Sequence, residues 1–184
     1  MQVAEIWQPK AQQRMFRELL QAMARPGTVV DLEPFLDGDD ALAGVLATLV
    51  DGAVTLADPD GLLSEGLWNF TQATPAASEA AGYVACAGRA APSFEPCLGD
   101  LKNPERGATL IVAVERVGDG PCRWSLSGPG IQSSSTLALA GLASAWFDRR
   151  REWNAHFPLG VDMFFCAGPR VAALPRTTIA KLEE

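Results

Sequence analysis

Residues 157–178 constrain this chain more than any other stretch, because two apolar segments there flank a Gly-Pro pair. Segments 160–167 and 170–174 are rich in Val, Met, Phe and Ala, a composition and length typical of strands. Gly168-Pro169 between them is typical of a tight turn, and the prolines that bracket the unit have no N–H to give a central ladder. The stretch therefore predicts a β-hairpin.

Two polar features of this hairpin exceed what a turn requires. Asp162 is a carboxylate inside an apolar strand, and Arg176, Thr177 and Thr178 follow the end of the second strand. A buried carboxylate is costly unless it is hydrogen-bonded or paired with a cation. One interpretation is structural: Asp162 caps a neighbouring turn, and Arg176 is its partner or a solvated charge. The functional alternative is that Arg176 and Thr177 bind an anion.

The composition is that of an ordinary globular protein, with 48% hydrophobic and 20% charged residues among 184. Such a chain is long enough to form one domain, residues 1–184, around a single substantial core. The net charge of −7 argues against a nucleic-acid groove, which needs a clustered basic surface. No apolar run reaches 18 residues and no signal-peptide pattern opens the chain, so we expect a cytoplasmic protein without a membrane span.

The residue types that carry chemistry do not form a recognisable reaction centre. The four cysteines are irregularly spaced and His156 is the only histidine, so we expect no Cys/His metal site. Residues 133–135 are serines, but no motif places His156 beside them as a base, which leaves them weak nucleophiles. We therefore expect no catalytic residue in this chain.

A Gly-Pro-Gly turn at residues 128–130 is a further candidate for anion binding. It precedes a predicted helix, where backbone N–H groups of Gly128 and Gly130 can form a nest for an anion. The turn lacks the spacing of known phosphate loops, and Pro129 removes one donor. An ordinary turn is therefore the favoured interpretation, with Gly128 and Gly130 kept as candidates beside Arg176 and Thr177.

Hydrophobic periodicity and turn residues outline the rest of the chain. The predicted helices are 12–24, 40–50, 62–70 and 136–153, with one turn of helix near 94–101. The predicted strands are 28–32, 53–57, 82–86, 108–117 and 121–127, the last two joined as a hairpin through Gly118-Asp119-Gly120. Helices and strands interleave while some strands follow one another directly, which predicts an α/β fold with a mixed sheet flanked by helices.

Five blocks in the order of the chain carry a resemblance to a known family. They are Gln13 with Phe16-Arg17, Leu19-Leu20, Ala22-Met23 and Pro26-Gly27; Gly107-Ala108-Thr109-Leu110-Ile111; Ser127-Gly128-Pro129-Gly130-Ile131; Phe157-Pro158-Leu159-Gly160-Val161-Asp162; and Leu174-Pro175-Arg176-Thr177-Thr178. Together they resemble the PhnH family of subunits of the bacterial carbon–phosphorus lyase core complex. The final two blocks are the most specific, and the middle of the chain, residues 88–102, carries no part of the resemblance.

The resemblance implies a three-layer α/β fold similar to the large domain of pyridoxal-phosphate-dependent transferases. It also implies a homodimer that joins PhnG, PhnI and PhnJ in organophosphonate catabolism. That complex exchanges the adenine of ATP for a phosphonate, forming a ribose 1-phosphonate 5-triphosphate, and its other subunits carry the identified chemistry. This chain is then a structural, non-catalytic subunit; the alternative is an independent small-molecule enzyme with an anion or phosphate pocket.

We expect no pyridoxal phosphate in spite of the fold likeness, because this cofactor needs a lysine for its Schiff base. The three lysines are Lys10, Lys102 and Lys181, and none follows an apolar strand that would hold it in a dry cleft. The dimer has independent support in five tryptophans and eight phenylalanines, since aromatic residues are enriched at interfaces. Trp7 and Trp68 are the expected contact residues.

Overall fold

The computed structural model describes residues 5–183, which form five α-helices, two short 3₁₀ turns and ten strands. The helices are α1 (Pro9–Ala24), α2 (Glu33–Leu36), α3 (Ala41–Leu49), α4 (Glu65–Thr71) and α5 (Ala145–Trp153), with 3₁₀ turns at Glu5–Trp7 and Pro104–Arg106. The strands are β1 (Val29–Asp31), β2 (Thr55–Ala57), β3 (Thr74–Pro75), β4 (Tyr83–Ala87), β5 (Thr109–Ala113), β6 (Arg116–Ser127), β7 (Ser135–Ala140), β8 (Asp162–Ala167), β9 (Arg170–Leu174) and β10 (Ile179–Leu182).

A seven-stranded mixed sheet with the order β1-β9-β8-β5-β4-β2-β3 forms the centre. Strands β3, β2, β4, β5 and β8 run parallel, whereas β8–β9 and β9–β1 are antiparallel. The β8–β9 pair is the hairpin that residues 157–178 predict, with Ala167 opposite Arg170 at its turn. The predicted α/β class with a mixed sheet flanked by helices is confirmed.

One face of the central sheet is covered by helices, mainly α1 and α3. Met15 and Leu19 on the apolar stripe of α1 are fully buried, as is Leu46 on α3. Helix α3 is apolar almost all round because it lies between α1 and the sheet. The Ala43 N–H donates to Asp40 Oδ1 at 2.9 Å, so Asp40 caps α3. Both helices lie where the sequence predicts them, with α1 beginning three residues earlier.

The opposite face is covered by a second, three-stranded antiparallel sheet with the order β10-β6-β7, together with helix α5. Alternation along the central strands separates the two cores: Ile111 and Phe164 belong to the helix-covered side, and Leu110 and Phe165 to the other. Trp124 of β6 packs edge-to-face on Phe165, with ring centroids 5.8 Å apart. The structure therefore has a helical layer, the central sheet, and a layer that combines the small sheet with α5.

The predicted helix 136–153 is wrong in its first half, which forms strand β7. Leu-Ala repeats suit a helix by propensity, but here Leu137 and Leu139 are buried while the backbone pairs with β6. Gly141, with φ of +73°, then breaks the segment before α5 begins at Ala145. Tertiary pairing overrides local propensity at this position.

The predicted hairpin between 108–117 and 121–127 is also wrong. Strand β5 ends at Ala113 inside the central sheet, while β6 starts at Arg116 and belongs to the second sheet. Residues 118–121 are an irregularity within β6, since Val117 and Cys122 both lie opposite Leu139. A Cβ at Gly120 would overlap the Leu139 carbonyl, so the glycine that suggests a turn serves a close backbone approach.

The predicted turn of helix near 94–101 is absent from the structure, which has no helix between Ala87 and the 3₁₀ turn at Pro104–Arg106. Phe94 in this segment contacts both Trp146 and Trp153 of α5, with ring centroids 6.4 and 6.3 Å apart. The segment is thus ordered by aromatic packing instead of by a regular element. Within residues 5–183, no helix is long and apolar enough to cross a membrane.

Candidate functional site

An ion pair between Asp162 and Arg176 joins the start of β8 to the end of the β8–β9 hairpin. Asp162 Oδ2 accepts from Arg176 Nη2 at 2.7 Å and from Nε at 3.2 Å, and Oδ1 accepts from the Arg176 backbone N–H at 2.7 Å. The side chains are only 24% and 14% exposed. This pair, in which two guanidinium nitrogens donate to one carboxylate oxygen, is the structural partnership that one interpretation of the sequence predicts, because it offsets the desolvation of both charges.

The rest of the Arg176 guanidinium is used to tie loops together. Nη1 donates to the Pro104 carbonyl at 2.7 Å and to the Pro158 carbonyl at 3.3 Å, and Nη2 donates to the Gly107 carbonyl at 3.4 Å. A Cβ at Gly107 would overlap this guanidinium, so glycine is needed for the approach. Arg176 therefore connects four segments of the chain, and each of its side-chain nitrogens already has a protein acceptor.

The four residues predicted to bind an anion are only partly brought together. Gly128 lies against Thr177, since a Cβ on Gly128 would be 3.0 Å from the Thr177 carbonyl oxygen. Gly130 lies instead against the end of α1, where a Cβ would overlap the Ala24 carbonyl. The turn precedes β7, so the helix dipole expected to assist it is not there. Anion binding by Gly128, Gly130, Arg176 and Thr177 stays a prediction.

A cleft of about 240 Å³ opens between α5 and β10, next to the Asp162–Arg176 pair. Arg150 is the central residue: it is 4% exposed, and its Nη2 donates to the carbonyls of Pro175 and Thr178 at 2.9 and 3.0 Å. Burial lowers the pKa of Arg150 to about 10, although the charge of Asp162 acts in the opposite direction. Asn154 and Thr178 also line the cleft.

Sequence reasoning missed this cleft. The run Arg149-Arg150-Arg151 looks like cations that complement the dipole at a helix end, and residue type alone does not separate the buried arginine from its neighbours. In the structure Arg149 pairs with Glu95 and Glu152, and Arg151 pairs with Asp148 at 3.0 Å, while Arg150 turns inward. The one available signal was spacing, because residues 146, 150 and 153 share a helix face.

The other candidate groups lie apart from one another. His156 is exposed in the loop after α5, and Ser133 and Ser134 are exposed before β7. Lys10, Lys102 and Lys181 are also exposed, so none lies in a dry cleft. Cys86 and Cys166 are buried, and burial raises the pKa of both thiols.

In residues 5–183, then, the buried Arg150 and the partly buried Asp162–Arg176 pair join segments of an α/β protein. Comparison with known proteins gives the family. Residues 4–181 match the family described as bacterial phosphonate metabolism protein (PhnH). The chain therefore belongs to the PhnH family, and the resemblance found in its sequence is confirmed. The two most specific blocks of that resemblance contain Asp162 and Arg176, the two partners of the partly buried ion pair.

Two curated relatives match nearly the whole chain. "Putative C-P lyase subunit protein HtxG" of Stutzerimonas stutzeri is 46% identical over 97% of this chain and 90% of its own length. "Alpha-D-ribose 1-methylphosphonate 5-triphosphate synthase subunit PhnH" of Rhizobium meliloti is 31% identical over 93% of this chain and 90% of its own length. Both relatives are named as subunits of a larger assembly.

Proposed function

We propose that this chain is a structural, non-catalytic subunit of the carbon–phosphorus lyase core complex in organophosphonate catabolism. The observation that carries the proposal is the match to two proteins named as subunits of that activity, over 97% and 93% of this chain. The saturation of Arg176 by protein acceptors supports it, because a catalytic cation needs a free face toward substrate.

In this proposal the assembled complex replaces the adenine of ATP with a phosphonate, giving a ribose 1-phosphonate 5-triphosphate. PhnG, PhnI and PhnJ supply the reacting groups, and this chain supplies a rigid surface in the cytoplasmic assembly. Apolar side chains available for such contacts include Phe16 and Leu20, which are 49% and 55% exposed and lie four residues apart on α1. Phe157, 70% exposed, stands beside the hairpin.

We also propose that the chain forms a homodimer through aromatic side chains. Trp7 stacks on Phe70 with ring centroids 5.0 Å apart, and Phe70 is 47% exposed. Trp7 and Trp68 are only half-buried against the helix-covered core. A half-exposed aromatic cluster is typical of interface cores. Trp7→Ala is expected to shift the light-scattering mass toward the monomer, and an unchanged dimer mass would contradict this contact.

The fold likeness to the large domain of pyridoxal-phosphate-dependent transferases belongs to the same proposal, without the cofactor. Exposure of all three lysines supports cofactor-free function, because a Schiff-base lysine needs a dry cleft. Incubation with pyridoxal phosphate is expected to leave no stoichiometric aldimine band after dialysis. A stoichiometric band that Lys102→Ala abolishes would contradict it.

Co-purification tests the subunit role directly. A tagged version of this chain, co-expressed with PhnG, PhnI and PhnJ from the same organism, is expected to retain all three through affinity and size-exclusion steps. If the three partners instead assemble into an active complex while this chain elutes alone, the proposal fails. The matched variant is Phe16→Glu/Leu20→Glu, which places two charges on the exposed face of α1. If it loses the partner subunits while its thermal unfolding is unchanged, the loss reflects the contact and not the fold.

One observation favours a second candidate function, an independent small-molecule enzyme with an anion pocket. The cleft beside Arg150 places a buried cation next to open space. An independent enzyme would turn over substrate without partner subunits. Phosphate release or ATP consumption by the isolated chain, abolished by a cleft variant, would favour this candidate over the subunit role.

A further inference from the structure

The cleft between α5 and β10 collects most of the buried polar atoms that lack a partner. Within residues 5–183, four buried side-chain nitrogen or oxygen atoms make no hydrogen bond, and three of them are Arg150 Nε, Asn154 Nδ2 and Thr178 Oγ1. All three residues line this one cleft. Because an unpaired buried donor costs free energy, three of them at one opening are a sign of a missing acceptor.

The cleft is lined by positive charge, which an anionic acceptor requires. Arg150, Arg151 and Arg176 line it, and none of its lining residues is acidic, in a chain whose net charge is −7. Arg176 is neutralised by Asp162 and Arg151 by Asp148. Among residues 5–183, Arg150 donates only to carbonyl oxygens and forms no ion pair, and the charge of Asp162 acts on it only from a distance because Asp162 pairs with Arg176. A bound anion would offset the desolvation of Arg150.

We propose that this cleft is a binding site for a small tetrahedral phosphorus oxyanion, held by Arg150, Asn154 and Thr178. Three separate donors match three oxygens of a phosphate or phosphonate group better than the two oxygens of a carboxylate. At about 240 Å³ the cleft is smaller than pockets for drug-sized ligands, so it accepts the oxyanion head and a short substituent.

Part of the cleft wall is apolar, which sets the kind of substituent that fits. Phe147 and Ile179 line the cleft beside Ala180, and Ile179 is 59% exposed. A methyl or similar short group on phosphorus can lie on this wall while the oxygens meet the donors. The donors Arg150, Asn154 and Thr178 are not among the residues that the sequence predicts to bind an anion, although Arg176 belongs to that set and also lines the cleft. The proposed site does not depend on whether the chain is a subunit.

Titration of the isolated, full-length chain tests the proposal with two probes, inorganic phosphate and methylphosphonate. Backbone amide chemical shifts are followed at constant ionic strength, with chloride as the control anion. We expect saturable shifts at millimolar concentrations that centre on Asn154, Thr178 and Ile179. Comparable affinities for the two probes would mean that the donors alone select the PO₃ group. Tighter binding of methylphosphonate would mean that the apolar wall also contributes to affinity. Either result supports the site.

Thr178→Val is the sharpest variant, because it removes an unpartnered hydroxyl with little change of shape. We expect unaltered thermal unfolding and binding weakened about tenfold or more, as for loss of one hydrogen bond to a charged group. The matched control is Thr136→Val, which removes the hydroxyl that donates to Glu183 outside the cleft. It is expected to bind both probes as the parent does.

Asn154→Asp is a second, nearly isosteric variant that supplies the counterion from within the chain. The Oδ1 that accepts from the Val161 N–H is kept, and a carboxylate stands one helical turn from Arg150. We expect a higher melting temperature and no detectable binding of either probe. The proposal is overturned by shifts equal to those in chloride, by equal weakening in Thr178→Val and Thr136→Val, or by shifts that centre on Gly128 and Gly130.

Discussion

The two faces of the central sheet are stabilised by different means. The helix-covered face, under α1 and α3, is lined by aliphatic side chains such as Leu19 and Leu46, and the Gln12 Nε2 there donates to the Ala47 carbonyl. The face under β6, β7 and α5 contains large aromatic rings and, of the residues described, all four unpartnered buried polar atoms. Apolar packing is completed on the first face, whereas the second leaves buried polar atoms without a hydrogen-bond partner.

The largest expected effect concerns Arg176, which ties loops together on the second face. Arg176→Ala leaves the partly buried carboxylate of Asp162 without its cation, with only the backbone N–H of residue 176 as donor, and removes the donor to Pro104 and Pro158. We expect a loss of about 3–5 kcal/mol in the free energy of unfolding, measured by urea denaturation.

A surface ion pair provides the control for Arg176. Arg116 and Asp119 are 3.6 Å apart with side chains 58% and 81% exposed, so Arg116→Ala should cost no more than about 1 kcal/mol. Arg176→Lys is expected to fall between the two, since lysine keeps the charge but cannot donate to Asp162 and to all of the loop carbonyls at once. Equal costs for Arg176→Ala and Arg116→Ala would show that Arg176 does not hold the loops together.

The irregularity in β6 gives the next largest effect. Gly120→Ala places a Cβ against the Leu139 carbonyl, at a φ of +153°. We expect a loss of about 2–3 kcal/mol in unfolding free energy, from backbone strain and a weakened β6–β7 pair. Gly38→Ala is the control, because its φ of +91° is also positive but no atom lies within 4 Å of the added Cβ. A similar loss in both variants would attribute the effect to φ alone.

The sequence predicts the elements of the helix-covered face better than those of the other face, because the two sets depend on different interactions. On the helix-covered face, α1 has a clear 3.6-residue period and α3 has an acidic cap, so local signals suffice. On the other face, β7 is a Leu-Ala repeat and β6 contains a glycine-rich irregularity. Both depend on pairing with distant strands, which periodicity does not report. The second sheet was therefore missed.

The candidate site likewise has one part that the sequence predicts and one part that it does not. The Asp162–Arg176 pair could be predicted because a carboxylate in an apolar strand needs a partner close by. The Arg150 cleft could not, since three consecutive arginines look alike in sequence and only the packing of α5 buries the middle one. Thr178, adjacent to the predicted Thr177, is buried because the backbone turns between Pro175 and β10.

Loss of the cap on α3 is expected to have a smaller effect than the two changes above. Asp40→Ala removes the acceptor for the Ala43 N–H and a negative charge at the positive end of the helix dipole. We expect a cost of about 1 kcal/mol in the free energy of unfolding by urea denaturation. Asp39→Ala, beside it, is the control and should be nearly neutral. Equal costs would mean that charge, and not the hydrogen bond, is what Asp40 contributes.

The smallest effect contrasts one hydroxyl on each face. Thr48 Oγ1 donates to the Gly44 carbonyl at 2.7 Å, whereas Thr178 Oγ1 has no partner. Thr48→Val should cost about 0.5–1.5 kcal/mol, and Thr178→Val should be neutral or slightly stabilising. Calorimetric melting temperatures of the two variants check the contrast. A cost for Thr178→Val as large as that for Thr48→Val would mean that the hydroxyl is already satisfied.

The central claim, a non-catalytic subunit, is tested most directly by the rate of the assembled complex. A triple variant, His156→Ala with Lys102→Ala and Ser134→Ala, removes exposed candidate reacting groups without touching the core. We expect a complex of unchanged mass that forms the ribose 1-phosphonate 5-triphosphate within about twofold of the parent rate. An intact complex slowed about 100-fold or more, as for loss of a general acid or base, would contradict the claim.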